Sequence, residues 1–425
     1  SYGGIGLTNC SDVIIQNCTF QLKSTAISAL NGGGLQLLNN QFINNGNFLF
    51  ATISLNGIGF FGGNRLKVTG NTFQGGGNGF SLSNMANLTM APSGNPELHL
   101  PDNDGKKTLT NVLFKLEDTN NMNISGFDLS RNNTSQAISG TALNALDCDQ
   151  LTFNNNVCEG RTFGVIITNS IVSIISGNTF ANITNNSINV TNGQNATIAN
   201  NIFTNTGTGS AQYTLQVRGV TSDGTKRLEV AGNTFNGGGN GISLQDMDAV
   251  TIAVTGTPEV LLPNTDGKKT FLGTVLNLVN IDNTNIQYFD LSRNNSSQAI
   301  SGTGLSTLNS DNILVSNNTV EGRLNGLILN ASIVSVVSNN LFTNMTGSAI
   351  NVSNGQNSTI TNNAFNNTGT NGGIYSVVLN SIGFQGANRL SFIGNTFNGG
   401  GNGLSLQNMN ALTIAPSGSP EVLVP

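Results

Sequence analysis

Gly70-Asn-Thr-Phe-Gln-Gly-Gly-Gly-Asn-Gly-Phe-Ser-Leu-Ser-Asn-Met85 returns almost unchanged as GNTFNGGGNGISLQDM at Gly232–Met247 and as GNTFNGGGNGLSLQNM at Gly394–Met409. From 70 to 232 and from 232 to 394 the step is the same 162 residues, and other segments keep that register. DGKKT at Asp104 recurs at Asp266, FDLSRNN at Phe127 recurs at Phe289, and NGQN at Asn192 recurs at Asn354. Near-identity at a fixed long spacing is the mark of a duplicated folding unit that stacks on its own copies.

Inside the long repeat runs a shorter beat, an Asn two residues before a Phe. It occurs at Asn40 and Phe42, Asn71 and Phe73, Asn178 and Phe180, Asn201 and Phe203, and Asn233 and Phe235, then again at Asn340 and Phe342, Asn363 and Phe365, and Asn395 and Phe397. Successive Phe positions differ by 23 (180 to 203) and 32 (203 to 235), and the third copy gives 23 (342 to 365) and 32 (365 to 397), so two alternating coil lengths are expected. With weaker beats at Thr251–Val254, Phe289 and Val320, the repeat holds six turns. Such a turn is too short for a strand-helix-strand unit and long enough for short strands joined by tight bends. Val13–Ile15, Ser173–Ile175 and Thr197–Ile198 read as β runs ahead of Asn-x-Phe, and Ile188–Val190, Ile242–Leu244 and Leu404–Leu406 as alternating runs after it.

Stacking these turns predicts a ladder of Phe in the core and a ladder of Asn at the bend, each Asn amide bonding the equivalents above and below, with about 4.8 Å between turns and roughly 29 Å for six of them. Cys18 stands where one such Asn is expected, which predicts a single interruption. A leucine-rich horseshoe has turns of similar length, but it requires a Leu-x-x-Leu-x-Leu pattern and a nearly constant turn, and this chain has neither.

Composition agrees with this reading. Of 425 residues 37% are hydrophobic and only 9% charged, with 53 Gly and no Trp. Helix formers are too sparse for long helices, whereas Asn, Gly, Ser and Thr supply bends and strand faces. The net charge is −5 with no basic run, which excludes the cationic surface that a nucleic-acid partner requires. No stretch approaches the ~20 apolar residues of a membrane-spanning helix, so no membrane insertion is expected within this segment.

The beat hydrophobic-x-hydrophobic-x-x-Asn-x-Phe, as in Ala196-Thr-Ile-Ala-Asn-Asn-Ile-Phe203, resembles the repeats of the pectate-lyase and NosD-like right-handed β-helix superfamily over essentially the whole chain. Phe42-Ile-Asn-Asn45 resembles, more loosely, the Phe-x-x-Asn repeats of autotransporter passengers, although their Gly-Gly-Ala partner motif is poorly matched. The resemblance implies an all-β, right-handed parallel β-helix, a fold that hosts lyases, hydrolases, adhesins and fibres alike. The expected organisation is one continuous β-helix over 1–425, with a partial first repeat over 1–103, a second over 104–265 and a third over 266–425, cut from a longer array.

Pectin-lyase-like enzymes work with carboxylates and basic residues on one face. Asp128, Arg131, Glu159 and Arg161 suggest such a cluster on adjacent turns, with the two carboxylates roughly 5 Å apart. The same four return as Asp290, Arg293, Glu321 and Arg323, and recurrence in each copy is more simply an interturn ion-pair network. Asp102-Asn-Asp-Gly105 opens like a calcium loop but has no closing Glu, and the second copy, Asn264-Thr-Asp-Gly267, has one carboxylate fewer, so an Asp-Gly turn is expected. The one histidine, His99, aligns with Leu261 and Leu423, which argues against a catalytic base, and the Gly-rich run after Gly70 lacks the Lys and Ser or Thr of a phosphate loop. Cys10, Cys18, Cys148 and Cys158 have no counterparts in other copies and read as buried small apolar residues, with one or two local disulfide bridges as the alternative. No catalytic, cofactor-binding or metal residue and no cofactor is assigned. An enzyme would carry one groove with residues unique to one copy, whereas charged differences between copies are found only singly, as at Arg218 and Asp223. The expected function is therefore structural or adhesive, a rigid rod or filament at a cell surface whose partners are further copies of the repeat, glycans or a host surface. Polysaccharide binding or cleavage is the alternative.

Overall fold

The computed structural model describes residues 4–131, 138–222, 226–293, 300–384 and 389–424. Asp223 and the paired Asn that close each FDLSRNN motif lie outside them. The chain divides into two compact units, Ser1–Gly209 with Val220–Leu228, and Ser210–Gly219 with Glu229–Pro425. Each is a right-handed parallel β-helix.

In the first unit the strands Ile5–Thr8, Ile27–Leu30, Ala51–Asn56, Asn78–Ser83, Val112–Glu117, Thr141–Leu146, Phe163–Thr168 and Ile188–Thr191 stand side by side in chain order as one parallel sheet. In the second unit the equivalent sheet runs from Tyr213–Arg218 and Asn240–Gln245 to Asn402–Gln407. Its register steps from Ile242 to Leu276, Leu305, Leu327, Ile350, Val377 and Leu404, six turns in one 162-residue repeat. The expectation of two alternating coil lengths is corrected by these steps: 34, 29, 22, 23, 27 and 27 residues. The strands have nearly constant length, and the surplus falls in the loops at the bends, which no ladder constrains. The longest turn also carries the extra strand pair Ile252–Ala253 and Val260–Leu261 and the 3-10 turn Lys268–Thr270.

A second parallel sheet forms from the β runs ahead of Asn-x-Phe, including Ile14–Gln16, Leu35–Leu38, Leu66–Thr69, Ser173–Ser176 and Ala196–Ala199. Alternation puts Leu35, Leu37, Leu66 and Val68 inside and their neighbours outside. Among the described residues three separate, shorter parallel sheets carry the Phe positions, with Phe42 beside Phe73 in one, Phe180 beside Phe203 in another, and Phe342 beside Phe365 in the one of the second unit.

The bends explain the Asn content. Most non-glycine residues with positive φ are Asn, the L residue that best tolerates the left-handed region. In the dipeptides Asn39-Asn40, Asn200-Asn201, Asn339-Asn340 and Asn362-Asn363 the first Asn takes positive φ and turns the chain, and the second is buried. Where the turning residue is Gly70 or Gly177, at φ 68 and 65, the buried Asn71 or Asn178 follows as before. No helix among the described residues is long and apolar enough to cross a membrane.

Candidate functional site

The sequence-predicted ladder residues come together within each unit. Asn40 donates its side-chain amide to Asn71 Oδ1 at 3.0 Å and to the Ile15 carbonyl at 2.9 Å, and its own Oδ1 accepts the Cys18 backbone N–H. At Cys18 only the side-chain rung is therefore missing. Asn178 joins Asn201 in the same way, as Asn340 joins Asn363 and Asn363 joins Asn395. The ladder also includes Asn156, bonded to Asn178, and Asn318, bonded to Asn340. The strict Asn-x-Phe pattern omits both Asn because Cys158 and Val320 replace Phe beside Phe180 and Phe342, although Val320 itself counts as a weaker beat. Ring centroids lie 5.3 Å apart for Phe42 and Phe73, Phe180 and Phe203, and Phe342 and Phe365, and 4.8 Å for Phe365 and Phe397. Asn233 and Phe235 are buried, with Phe235 against Phe271, while Phe397 is 39% exposed.

The quartet is not the ion-pair network that its spacing suggested. Asp128 lies beside Val157, so the two carboxylates are out of register, and Asp128 pairs with Lys107. Glu159 accepts the Asn182 amide at 3.0 Å, and Arg131 donates to the carbonyls of Thr108 and Leu109. Arg161 is wholly buried and donates to the carbonyls of Leu129, Ser130 and Asn111; Arg323 likewise serves Leu291, Ser292, Phe271 and Gly273. Burial weakens their hold on the proton, to about 10 for Arg161 and about 9 for Arg323. The carbonyl dipoles supply the compensation a carboxylate would otherwise provide.

At the Asp-Gly turn Lys106 is buried and its ammonium donates to the Leu100 and Pro101 carbonyls and to Asp102 Oδ1 at 3.1, 2.7 and 3.3 Å. This lysine fills the place a cation would take. Lys268 repeats the arrangement with Leu262, Pro263 and Asp266. Burial raises the Asp104 and Asp266 carboxyls above their ordinary value, against the pull of the adjacent lysines. Among the described residues no group of three or more His, Cys, Asp or Glu could hold a metal ion. The cysteines are all thiols, and the expectation that all four are buried holds for Cys148 and Cys158 alone: Cys10 is exposed and Cys18 half-buried, each at a surface bend. Burial pushes Cys148 up to about 11 and Cys158 up to about 12.

A groove of about 630 Å³ lies on the outer face of the second sheet in the first unit. Its position follows from a local inversion of strand order. Leu98–His99 lies between Leu66–Thr69 and Thr89–Ala91, so the chain leaves the sheet after Ala91 and re-enters one strand back. Alternation then turns Lys67, Thr69 and His99 outward while Val68 and Leu98 point into the core. The excursion is clamped by Glu97, which accepts the Thr89 N–H at 3.1 Å, receives Arg65 at 2.7 and 2.6 Å, and donates its own N–H to Thr89 Oγ1 at 3.0 Å. Arg65 backs the ring of Phe60 at 5.2 Å, and that ring is 70% exposed at the groove's rim. Thr69 Oγ1 and His99 Nδ1 lie 3.0 Å apart on the floor.

The clamp recurs and the floor does not. Thr251 with Glu259, and Thr413 with Glu421 and Arg389, repeat the loop closure. In place of Lys67, Thr69 and His99 the later copies have Glu229, Ala231 and Leu261, then Ser391, Ile393 and Leu423. Phe60 becomes Ser222 in the second copy and remains Phe384 in the third. Residues particular to one copy are thus gathered in one groove, which a count of isolated charge differences did not anticipate. The single carboxylate lining it, Glu97, is held by Arg65.

Residues 1–93 and 114–256 match the family described as right handed beta helix region. The chain belongs to that family. No curated protein matches it. Among solved structures it is similar to the A-module of a mannuronan C-5 epimerase from Azotobacter vinelandii, at 10% identity over 96% of this chain and 91% of that one, with a TM-score of 0.25. It is also similar to a surface adhesin of Streptococcus pneumoniae, at 11% identity over 78% and 85% with a TM-score of 0.27, and to the tailspike of Escherichia coli bacteriophage HK620, at 12% identity over 95% and 71% with a TM-score of 0.23.

Proposed function

We propose that this right-handed β-helix chain is a structural or adhesive repeat protein of a cell surface or extracellular space, a segment of a stiff array whose partners are further copies of the repeat and a glycan-bearing surface. The partial first repeat 1–103, the second repeat 104–265 and the third repeat 266–425 are then successive lengths of one β-helix. One observation carries the reading: the buried cations that recur from copy to copy are turned inward to the backbone. Lys106 and Lys268, Arg161 and Arg323, and Arg65 and Arg389 all donate to main-chain carbonyls. Repetition of these residues builds coils, and an active site needs no such repetition.

The test is incubation of the purified chain with acidic and neutral polysaccharides, following new reducing ends and the ultraviolet absorbance of unsaturated uronates, beside a measurement of its retention on glycan-coated and cell surfaces. Saturable retention without turnover is expected. Product formation that disappears in the Glu159→Gln, Glu321→Gln double variant overturns the reading in favour of a lyase or glycosidase. A polysaccharide-binding role is the second reading, favoured by the groove over Lys67, Thr69 and His99.

A further inference from the structure

We infer that the groove of the first copy is a recognition site for a carboxylate-bearing saccharide, with Phe60 as the platform for a sugar ring and Lys67 as the partner of the carboxylate. The inference rests on the surface-adhesion reading and locates its specificity in one copy.

At about 630 Å³ the groove falls in the range of small-ligand sites, and it is open along the sheet, which suits the end of an oligosaccharide. Its composition is that of a sugar site on general chemical grounds. A pyranose presents apolar C–H faces and a rim of hydroxyls, and the groove offers one exposed aromatic face beside hydroxyl, amide and imidazole groups. The Phe60 turn is built to keep that ring out of the core: Phe61 and Asn64 exchange backbone hydrogen bonds across Gly62-Gly63, with Gly62 at φ 63. The Arg65 guanidinium behind the ring is itself fixed by Glu97 and by the carbonyls of Ala86 and Asn87, so the platform is held before any ligand arrives.

Charge selects the kind of sugar. Arg65 and Glu97 neutralise one another, which leaves Lys67 as the charge that decides the sign of the floor. An exposed ammonium beside hydroxyl and imidazole groups fits an anion, and carboxylate is the anion that a sugar carries on its own ring carbons or glycerol tail. The other copies supply the contrast. The second has Ser222, Glu229 and Leu261, with no platform and the opposite charge, and the third keeps Phe384 but has Ser391 and Leu423.

The same contrast provides variants whose side chains the fold already accepts in register: Phe60→Ser, Lys67→Glu and His99→Leu. Titration calorimetry on the whole chain would use a galacturonate trisaccharide, sialyllactose and the methyl ester of each. We expect saturable binding of at least one acid, weaker binding of its neutral ester, and a loss of about tenfold or more in Phe60→Ser and in Lys67→Glu. Salt should weaken the wild-type affinity and leave that of Lys67→Glu for the ester unchanged. Binding to neither acid, equal binding of acid and ester, or affinities unmoved by Phe60→Ser and Lys67→Glu overturns the proposal. Retention of the chain on surfaces is measured in parallel: if it persists in these variants the adhesive reading stands and the groove inference fails, and if the wild-type chain is not retained at all the adhesive reading fails first.

Discussion

Replacing Asn178 with alanine tests the inner ladder at a fully buried rung. Asn178 donates its amide to Phe153 O at 2.9 Å and to Asn201 Oδ1 at 3.0 Å, and its Oδ1 accepts the backbone N–H of Asn156 at 2.9 Å and the Asn156 amide at 3.2 Å. Alanine removes all four bonds, but their costs differ. Asn156 keeps its second amide bond to Ile124 O, and Asn201 Oδ1 keeps the Asn178 backbone N–H, whereas the Asn156 N–H and the Phe153 carbonyl lose the partners named here. At about 1–3 kcal/mol for each buried group left unmade, the substitution should cost about 2–6 kcal/mol. The comparison is Asn182→Gly at an outer rung, where Asn182 has φ 52 and exchanges exposed side-chain bonds with Glu159 and Asn205. Glycine keeps that backbone conformation without strain, so the loss there should be about 1 kcal/mol or less. Urea titration gives the two differences, and hydrogen exchange locates them. Because coils couple mainly to their neighbours, protection should fall around Asn156 and Phe153 and persist around Asn318 and Val315, the same rung one repeat later. Equal costs for the two substitutions, or uniform loss of protection, would refute the distinction between an inner ladder that satisfies the backbone and an outer one that decorates it.

Phe180→Ala should cost about 3–5 kcal/mol, measured by thermal and urea unfolding, since the ring is wholly buried and stacked on Phe203 at 5.3 Å. Val172 and Val334 hold φ of 54 and 52, a region hostile to β-branched residues, so Val172→Asn should stabilise the chain by roughly 1 kcal/mol, and a lower unfolding midpoint would contradict the strain. Maleimide labelling at neutral pH should modify Cys10 first and spare Cys148 and Cys158 until the chain is unfolded, because both are buried and burial disfavours their thiolates. Burial raises the Asp128 carboxyl, but the bonds from Lys107 and Ser130 outweigh it and hold the group below its ordinary 3.8. Its stabilising contribution is therefore present above pH 3.8 and lost as the pH falls through the lower folded-state value, so Asp128→Asn should flatten acid unfolding in that window; an unchanged acid limb would reject the pairing.

The fold was legible because its governing residues lie close together in sequence. In Asn200-Asn201-Ile202-Phe203 the left-handed turn, the ladder amide and the core ring occupy one tetrapeptide. Coil length was not legible, since surplus residues enter at bends where neither ladder restrains them. Asn156 and Asn318 escaped the list of ladder residues because that list asked for Phe two residues later, while the short Phe-bearing sheets accept another apolar side chain there, Cys158 in one and Val320 in another. The quartet misled for a different reason. Its basic members satisfy backbone carbonyls, acceptors that every residue carries and that leave no mark in a sequence. The groove depends on the strand Leu98–His99 being inserted one place back in the sheet, and no periodicity announces such an inversion.

These failures share a physical cause that also separates the two kinds of charge in the chain. Bends between parallel strands leave carbonyls pointing away from any ladder, and a buried carbonyl without a donor is costly. A long flexible cation can collect several at once, as Lys268 collects Leu262 and Pro263 and Arg323 collects four carbonyls from two neighbouring turns. Because the carbonyls recur with the coil, so must the cation, and recurrence of a buried cation in this chain therefore marks a structural requirement of the backbone. A charge that does not recur has no such obligation. Lys67, replaced by Glu229 and Ser391 on an otherwise constant clamp, is a residue that the coil does not require, and His99, replaced by Leu261 and Leu423, is another. Freedom from the backbone is what allows an outward position to differ between copies, and such a position is where selection for a ligand can act without unmaking the turn beneath it.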